Sequence, residues 1–253
     1  MPVESPIAWV YSSLLLSLRV SPVFALAPPF SLTRVPVPFR VLFGVGIAAA
    51  LCASNPAVAT VASLSPGYLA VTAARELLLG SIFVLAFQLA FAALYMAGRT
   101  VDIQAGFGLA VLIDPTTRAQ TPLVGTLFAY AAGVVFFSLD GHADLLRIMG
   151  ASLQAIPLGA AIMPASLAPL ASFISVVFIL GLGAAGGAIL GLFLADMAIA
   201  MLSRTAPQLN VLVLGLQVKT LLLLLILPVT FGVGGALLAR LMRVTLESLP
   251  RLL

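Results

Sequence analysis

Residues Leu167–Leu202 read LAPLASFISVVFILGLGAAGGAILGLFLADMAIAML, and this stretch decides the class of protein. Asp196 is its only charged residue. A helix that crosses a membrane needs about 20 predominantly apolar residues, and this stretch is longer than that. The sequence therefore predicts a long, glycine-rich membrane helix here.

The composition of the whole chain agrees with this prediction. The 253 residues are 62% hydrophobic and 8% charged, and the mean hydropathy is +1.22. A soluble domain carries about 25% charged residues, and a disordered chain has low hydrophobicity. The apolar runs are also continuous, whereas a transmembrane β-barrel alternates apolar and polar residues. We therefore predict an all-α, polytopic helical membrane protein.

Hydropathy indicates six apolar helices within a single integral membrane domain, residues 1–253. The last helix is expected to be broken by Pro228 and by its cluster of three glycines. No Lys or Arg precedes the first apolar stretch, so we interpret that stretch as a retained helix and not as a cleaved signal peptide. The six predicted helices are Ile7–Leu26, Val41–Ala53, Glu76–Ala97, Pro122–Leu139, Leu167–Leu202 and Val211–Leu238.

The distribution of charge gives conflicting indications of topology. Three arginines near the C-terminus, Arg240, Arg243 and Arg251, favour a cytoplasmic terminus, whereas Arg34 and Arg40 in the first loop favour the opposite orientation. Six simple membrane crossings place both termini on the same side of the membrane, so they cannot satisfy both indications. Either the number of crossings is odd, or some helices do not cross the bilayer conventionally. The net charge of +4 is scattered along the chain, so no nucleic-acid surface is expected.

Motifs for catalysis or cofactor binding are missing from the sequence. It has no P-loop, no HExxH and no GxSxG motif. A single cysteine, Cys52, excludes an intrachain disulfide and is interpreted as a packing residue. We interpret Asp140, His142 and Asp144 as a solvated turn and helix cap, not as metal ligands. We expect neither a cofactor, a metal site nor an enzymatic activity.

Asp196 is the acidic residue that lies deepest in an apolar run. A charge at the centre of a bilayer costs at least about 2.5 kcal/mol, so this carboxylate needs a partner, water or the membrane interface. A proton relay would require a second titratable group nearby, and the sequence indicates none. We therefore expect an arginine partner: Arg204, or one on a neighbouring subunit.

Three glycines, Gly183, Gly187 and Gly191, recur at four-residue spacing and lie on one helix face. Without side chains there, a second helix can approach closely, which is how helices associate in membranes. Two alternatives stay open. The glycine ridge either packs within a helical hairpin of this chain or forms a contact with another subunit.

The segment Ala105–Ile113 combines flexible glycines with apolar side chains between polar flanks. Irregular backbone at membrane depth is tolerated when it is buried in protein or lines a cavity. The segment is therefore a candidate for an apolar pore constriction, and a short interfacial helix is the alternative. Its candidate residues, with the turn that follows, are Gly106, Phe107, Gly108, Leu109, Val111, Leu112, Asp114 and Pro115.

Four motifs occur in order between Ala97 and Lys219, and together they resemble the FliR/SctT family of type III export-gate proteins. Two positions depart from the family pattern. Arg99 stands where the family often has an acidic residue, and Gln217-Val218 stands where it often has proline before lysine. The motifs are Ala97–Ala110 with Asp114-Pro115, Phe137–His142, Ile156–Gly159, and Arg204–Val211 followed by Gly215 and Lys219.

The resemblance implies a fold, partners and a location. It implies bent helical hairpins in a helical ring with FliP-like and FliQ-like subunits, next to an FlhB-like subunit. The ring would lie in the bacterial inner membrane at the flagellar basal body, surrounded by lipid, and unfolded proteins would pass through it. The segment matching 105–121 would contribute to the pore plug, and Gly215 favours the flagellar branch.

The resemblance also covers the connection between the last two long helices. Proline and polar residues there predict a fixed hairpin turn that contacts a partner; the residues concerned are Arg204, Pro207, Gln208 and Asn210.

The alternative function is that of a small-molecule secondary transporter. Such a transporter would need two matching broken helices with polar side chains at the membrane midplane, and only the last helix of this chain is expected to be broken.

Overall fold

The structure is a computed structural model that describes residues 6–57, 61, 63–107, 122–160, 168–206, 208 and 210–253. Within these ranges the chain forms seven α-helices, one 3₁₀ turn at Phe30–Leu32 and no β-strand. The helices are α1 (Pro6–Leu26), α2 (Val37–Ser54), α3 (Pro66–Gln104), α4 (Leu123–Ser138), α5 (Gly141–Ala155), α6 (Ala168–Thr205) and α7 (Val211–Leu252).

Five of these helices are long and apolar enough to cross a membrane. The number becomes six if α4 and α5, which are bent by 71° relative to each other, count as one span. The prediction of an all-α, polytopic membrane protein is confirmed for the described part of the chain.

The predicted boundaries of several helices are wrong because hydropathy marks where apolar composition ends, not where the helix ends. Helix α3 begins at Pro66, well before Glu76, and α7 continues past Leu238 to Leu252. The expected break in the last helix is also wrong, because α7 runs through Pro228 without interruption.

The chain divides into two compact units. The first consists of Met1–Leu89, Phe136–Ile174 and Arg243–Leu253, and the second of Ala90–Val135 and Ser175–Met242. Four helices, α3, α4, α6 and α7, contribute residues to both units.

In the first unit, α1 and α2 form an antiparallel hairpin with small residues along the buried side of each helix. A Cβ atom added at Gly44 would lie 2.5 Å from the Cα of Ser21, so the backbones approach closely, as small residues permit in membrane helices. The Arg40 guanidinium donates to the Ala25 carbonyl at 2.6 Å and so satisfies one terminal carbonyl of α1. This seam consists of Ser13, Ser17, Ser21, Gly44, Ala48 and Cys52.

A tight turn joins α4 to α5 in the same unit. Asp140 adopts a left-handed backbone with φ of 55°, and a Cβ atom added at Gly141 would lie 2.6 Å from the Phe136 ring. Glycine is therefore needed at the start of α5. Asp140 is the N-cap residue of α5, as the interpretation of these residues as a turn and helix cap predicts, although its side chain makes no capping hydrogen bond. The Asp144 carboxylate instead accepts from the exposed Arg147 guanidinium at 2.7 Å.

Candidate functional site

The end of α3 leads into the candidate pore segment, and a Schellman motif terminates the helix there. Gly106 has φ of +90°, a conformation that glycine adopts without strain. Its N–H donates to the Ile103 carbonyl at 3.1 Å, and the N–H of Phe107 donates to the Asp102 carbonyl at 3.0 Å. Gly106 thus fixes where the helix stops and the segment begins.

Two of the candidate plug residues belong to the described part of the chain. Gly106 and Phe107 belong to the described chain, and both are half-buried. Gly108, Leu109, Val111, Leu112, Asp114 and Pro115 lie outside the described residues. Their role in a plug stays a prediction.

The two described ends that flank this segment are fastened to each other. A Cβ atom added at Gly98 on α3 would overlap the backbone of Gly125 on α4. One turn past Gly98, the buried Asp102 carboxylate accepts from the N–H of Val124 at 3.1 and 3.2 Å. A carboxylate at a helix N-terminus satisfies a free N–H group and interacts favourably with the helix dipole. We call this arrangement, formed by Gly98, Asp102, Val124 and Gly125, the stem.

Sequence reasoning identified Gly98 only as part of a family motif and missed Asp102 as an anchor. Arg99 stands where the family often has an acid, and Asp102 places a carboxylate about one helical turn further along the same helix. An acid displaced by one turn from the position that the family usually has could have identified Asp102 as a residue with a role. Nothing in the sequence, however, indicated that Val124 would provide the N–H group that the carboxylate binds.

The glycine ridge on α6 lies against α7 of the same chain. Added Cβ atoms at Gly183 and Gly187 would lie 3.4 Å from the Leu237 side chain and 3.3 Å from the Thr230 hydroxyl, respectively. At Gly191 an added Cβ would overlap the Ile226 side chain. Of the two alternatives left open by the sequence, the described contacts are those of packing within the α6–α7 hairpin. Participation of the ridge in subunit assembly stays a prediction.

Gly187→Leu is expected to push α7 away from α6, because the new side chain must occupy the position of the Thr230 hydroxyl. We expect loss of the folded protein and of its complex with other membrane proteins, measured by copurification and by gel filtration in detergent. A normal yield of intact complex would contradict this expectation.

The neighbouring Gly186 provides a matched control, because no heavy atom of the described chain lies within 4 Å of a Cβ added there. Gly186→Leu should leave the hairpin folded. If Gly186→Leu abolishes copurification while the protein remains folded, a partner subunit packs on that face.

Asp196 is paired across the α6–α7 hairpin. Its carboxylate forms an ion pair with the Lys219 ammonium group, so the expectation of an arginine partner is wrong. Arg204 lies further along α6, in its last turn, whereas the antiparallel arrangement brings Lys219 opposite Asp196. The Lys219 side chain is 19% exposed and the Asp196 side chain is 39% exposed.

The connection between α6 and α7 has the features of a capped turn. Arg204 lies in the last turn of α6, where a cation stabilises the helix dipole. The Asn210 side chain accepts from the N–H of Val213 at 3.4 Å, which is the N-cap interaction. Gln208 is exposed, and Pro207 lies outside the described residues. A contact between this turn and a partner stays a prediction.

A buried ion pair occupies the core of the first unit. Arg19 on α1 donates to the Glu76 carboxylate on α3 through Nε at 2.7 Å and through Nη2 at 3.0 Å, and both side chains are 1% exposed. Arg19 also donates to the Ser152 hydroxyl on α5 at 3.4 Å and to the Ile156 carbonyl at 3.1 Å. One side chain therefore joins three helices and the chain that follows α5.

Residues 156–160, which follow α5 and which we call the crossover, fold over this pair. Gly159 has φ of +81°, and a Cβ atom added there would lie 2.5 Å from the Tyr68 hydroxyl. Its N–H donates to the Glu76 carboxylate at 3.5 Å, and its carbonyl accepts from Arg75 at 2.8 Å. The Leu158 side chain is buried. These contacts explain physically why leucine and glycine occupy this motif.

Sequence reasoning missed the pair. It left Arg19 inside the first predicted helix without a role and placed Glu76 at the start of the third. An ionised side chain within an apolar helix requires a partner. The presence of one basic and one acidic side chain of this kind, Arg19 and Glu76, therefore indicated that they could form a pair. The sequence does not show which acid pairs with which base.

Comparison with known proteins gives one family and several relatives. The family model described as "Bacterial export proteins, family 1" matches residues 10–244. The flagellar biosynthetic protein FliR of Bacillus subtilis is 31% identical over 95% of this chain and 93% of its own length. FliR of Escherichia coli is 29% identical over 89% and 82%, and the secretion system apparatus protein SsaT of Salmonella typhimurium is 32% identical over 56% and 55%.

Proposed function

Because this chain belongs to the bacterial export proteins, family 1, the FliR/SctT family, we propose that it is a subunit of the flagellar type III protein export gate. It is a component of an export apparatus and not an enzyme. The observation that carries the proposal is the match of the family model to residues 10–244, nearly the whole chain.

The flagellar branch is favoured over virulence-type secretion by the extent of the similarities. Two flagellar FliR proteins align with 95% and 89% of this chain, whereas SsaT aligns with 56%. We place the protein in the bacterial inner membrane at the flagellar basal body, as a single multi-pass domain of residues 1–253 in contact with lipid.

In this proposal the chain forms the channel together with FliP-like and FliQ-like subunits, next to an FlhB-like subunit, and unfolded proteins pass through it. Residues 105–121 contribute the apolar plug. The stem supports this role, because Asp102 and the Gly98–Gly125 contact hold the two ends that flank the segment. A segment fixed at both ends can constrict a pore without loosening the helices that carry it.

The partner surfaces are also part of the proposal. The α6–α7 hairpin, built on the ridge of Gly183, Gly187 and Gly191, would pack as one element against neighbouring subunits. The turn at Arg204, Gln208 and Asn210, with Pro207, would contact a partner. The transporter alternative loses its main support, because α7 is continuous at Pro228.

Copurification tests the proposed function. A chain tagged at its C-terminus and expressed from its own promoter should be recovered from mild detergent with two or three other export-apparatus membrane proteins. An unrelated tagged polytopic protein from the same membranes serves as the control. Recovery of the chain alone, or only as a homo-oligomer, would favour the transporter and contradict the proposal.

A further inference from the structure

We propose that the Arg19–Glu76 pair is a conformational lock that holds the crossover, residues 156–160, closed on α1 and α3. Its role is to bind the backbone of the crossover and not merely to neutralise two charges within the first unit. The inference is independent of the export function, since it depends only on contacts within this unit.

The geometry of the pair supports a lock. The Arg19 fork binds both carboxylate oxygens of Glu76, and bidentate pairs of this kind are directional as well as strong. With the two side chains held in register, the same Nη2 atom also reaches the Ile156 carbonyl at 3.1 Å. The same Oε1 atom accepts from the Gly159 N–H at 3.5 Å. Each partner of the ion pair thus holds one end of the crossover.

The energetics of buried ion pairs point the same way. A buried pair often contributes no more stability than well-packed apolar residues would, because desolvation offsets the attraction. Packing of α1 against α3 therefore does not require these charges. The crossover, however, presents a carbonyl and an N–H to a buried region, and such groups are costly when they have no partner. The pair supplies both partners.

The neighbours of the pair limit how the crossover can be held. Leu158 is 6% exposed, and Arg75 donates to the Gly159 carbonyl from α3. Packing and Arg75 alone could therefore retain the crossover. The test must separate that alternative from the lock.

The test uses thiol labelling of the crossover in the purified, detergent-solubilised full-length complex. Leu158→Cys is introduced in a Cys52→Ala background, so that position 158, which is buried in the crossover, carries the only thiol of this chain. Glu76→Gln keeps the shape of the side chain and removes its charge. We expect the labelling rate at position 158 to rise about tenfold or more, because local opening becomes more frequent when charge-assisted hydrogen bonds are lost.

Asp144→Asn is the matched control. It removes the charge from an acid that pairs with Arg147 on the exposed surface of α5, and the labelling rate should not change. An unchanged rate in Glu76→Gln, or an equal increase in Asp144→Asn, would overturn the proposal.

Glu76→Gln leaves the Arg19 charge buried and unpaired, so this variant could fail to accumulate. The double variant Arg19→Met/Glu76→Met removes both charges and restores an apolar core. We expect it to accumulate at or near the wild-type level while its crossover is still labelled about tenfold faster or more, because the backbone groups have lost their partners. If the crossover of the folded double variant stays as protected as in the wild type, packing alone holds it and the lock does not exist.

Discussion

Replacing Phe107, Leu109 and Leu112 with serine is expected to make the assembled complex leak ions. A conduit wide enough for an extended polypeptide conducts ions when it is empty unless something closes it. An apolar constriction excludes water and ions by dewetting, and it yields to a passing chain because no strong bond has to break. Serine hydroxyls would hydrate the constriction and remove this barrier. Deleting Phe107–Leu112 should have the same effect.

The leak is measured as single-channel conductance of the purified complex in planar bilayers, and as loss of membrane potential in cells. A matched control replaces Val35, Val37 and Phe39 with serine, since these side chains are exposed in and just after the α1–α2 connection. That variant should assemble and remain closed. If the first variant assembles and is as tight as the wild type, the seal lies on another subunit and the 105–121 segment only packs.

Gly98→Ala is expected to destabilise the protein by about 3 kcal/mol or more. The added methyl group would overlap the backbone of Gly125, and backbone cannot move aside as a flexible side chain can. Separating α3 from α4 also weakens the bonds from Val124 to Asp102. Overpacking costs about 1–3 kcal/mol, and a hydrogen bond to a charged group contributes about 1.5–3 kcal/mol. The midpoint of thermal unfolding in detergent measures the effect.

Gly235→Ala is the control for Gly98→Ala. It also places a methyl group in a helix interior, but no heavy atom of the described chain lies within 4 Å of the added atom. Alanine is favoured over glycine in helices by about 0.5–1 kcal/mol, so this variant should be as stable as the wild type or more stable. Equal melting temperatures for Gly98→Ala and Gly235→Ala would show that α3 and α4 do not meet at the stem.

The helices could be predicted from the sequence, but several of their ends could not. Apolar composition located α1, α4 and α6 within a few residues. It placed the start of α3 at Glu76, although the helix begins at Pro66. In the structure, Glu76 lies within α3, where it is buried and paired with Arg19. Hydropathy cannot distinguish a charge that ends a membrane helix from one that is buried and paired.

The candidate site could be predicted one residue at a time but not in pairs. Family motifs identified Gly106, Gly141 and Gly159, three positions where the backbone or a close neighbour requires glycine. Partners far apart in the sequence were not identified, as with Asp102 and Val124. Asp196 was expected to pair with arginine and pairs with Lys219. The sequence pattern shows that a buried charged residue needs a partner, whereas the identity of that partner depends on which helices pack against each other in the fold.

The lengths of the long helices have a consequence for the bilayer. Helix α7 has 42 residues and therefore rises about 63 Å, whereas the hydrocarbon core is about 30 Å thick. Fitting the whole helix inside would require a tilt of about 60°, and observed tilts reach about 40°. The charge-free run between Lys219 and Arg240 matches the hydrocarbon, so Met201 and Val213, exposed beyond the Asp196–Lys219 pair, fall outside it. The remainder of α7 therefore extends beyond the hydrocarbon core, and the helix is longer than any membrane crossing requires.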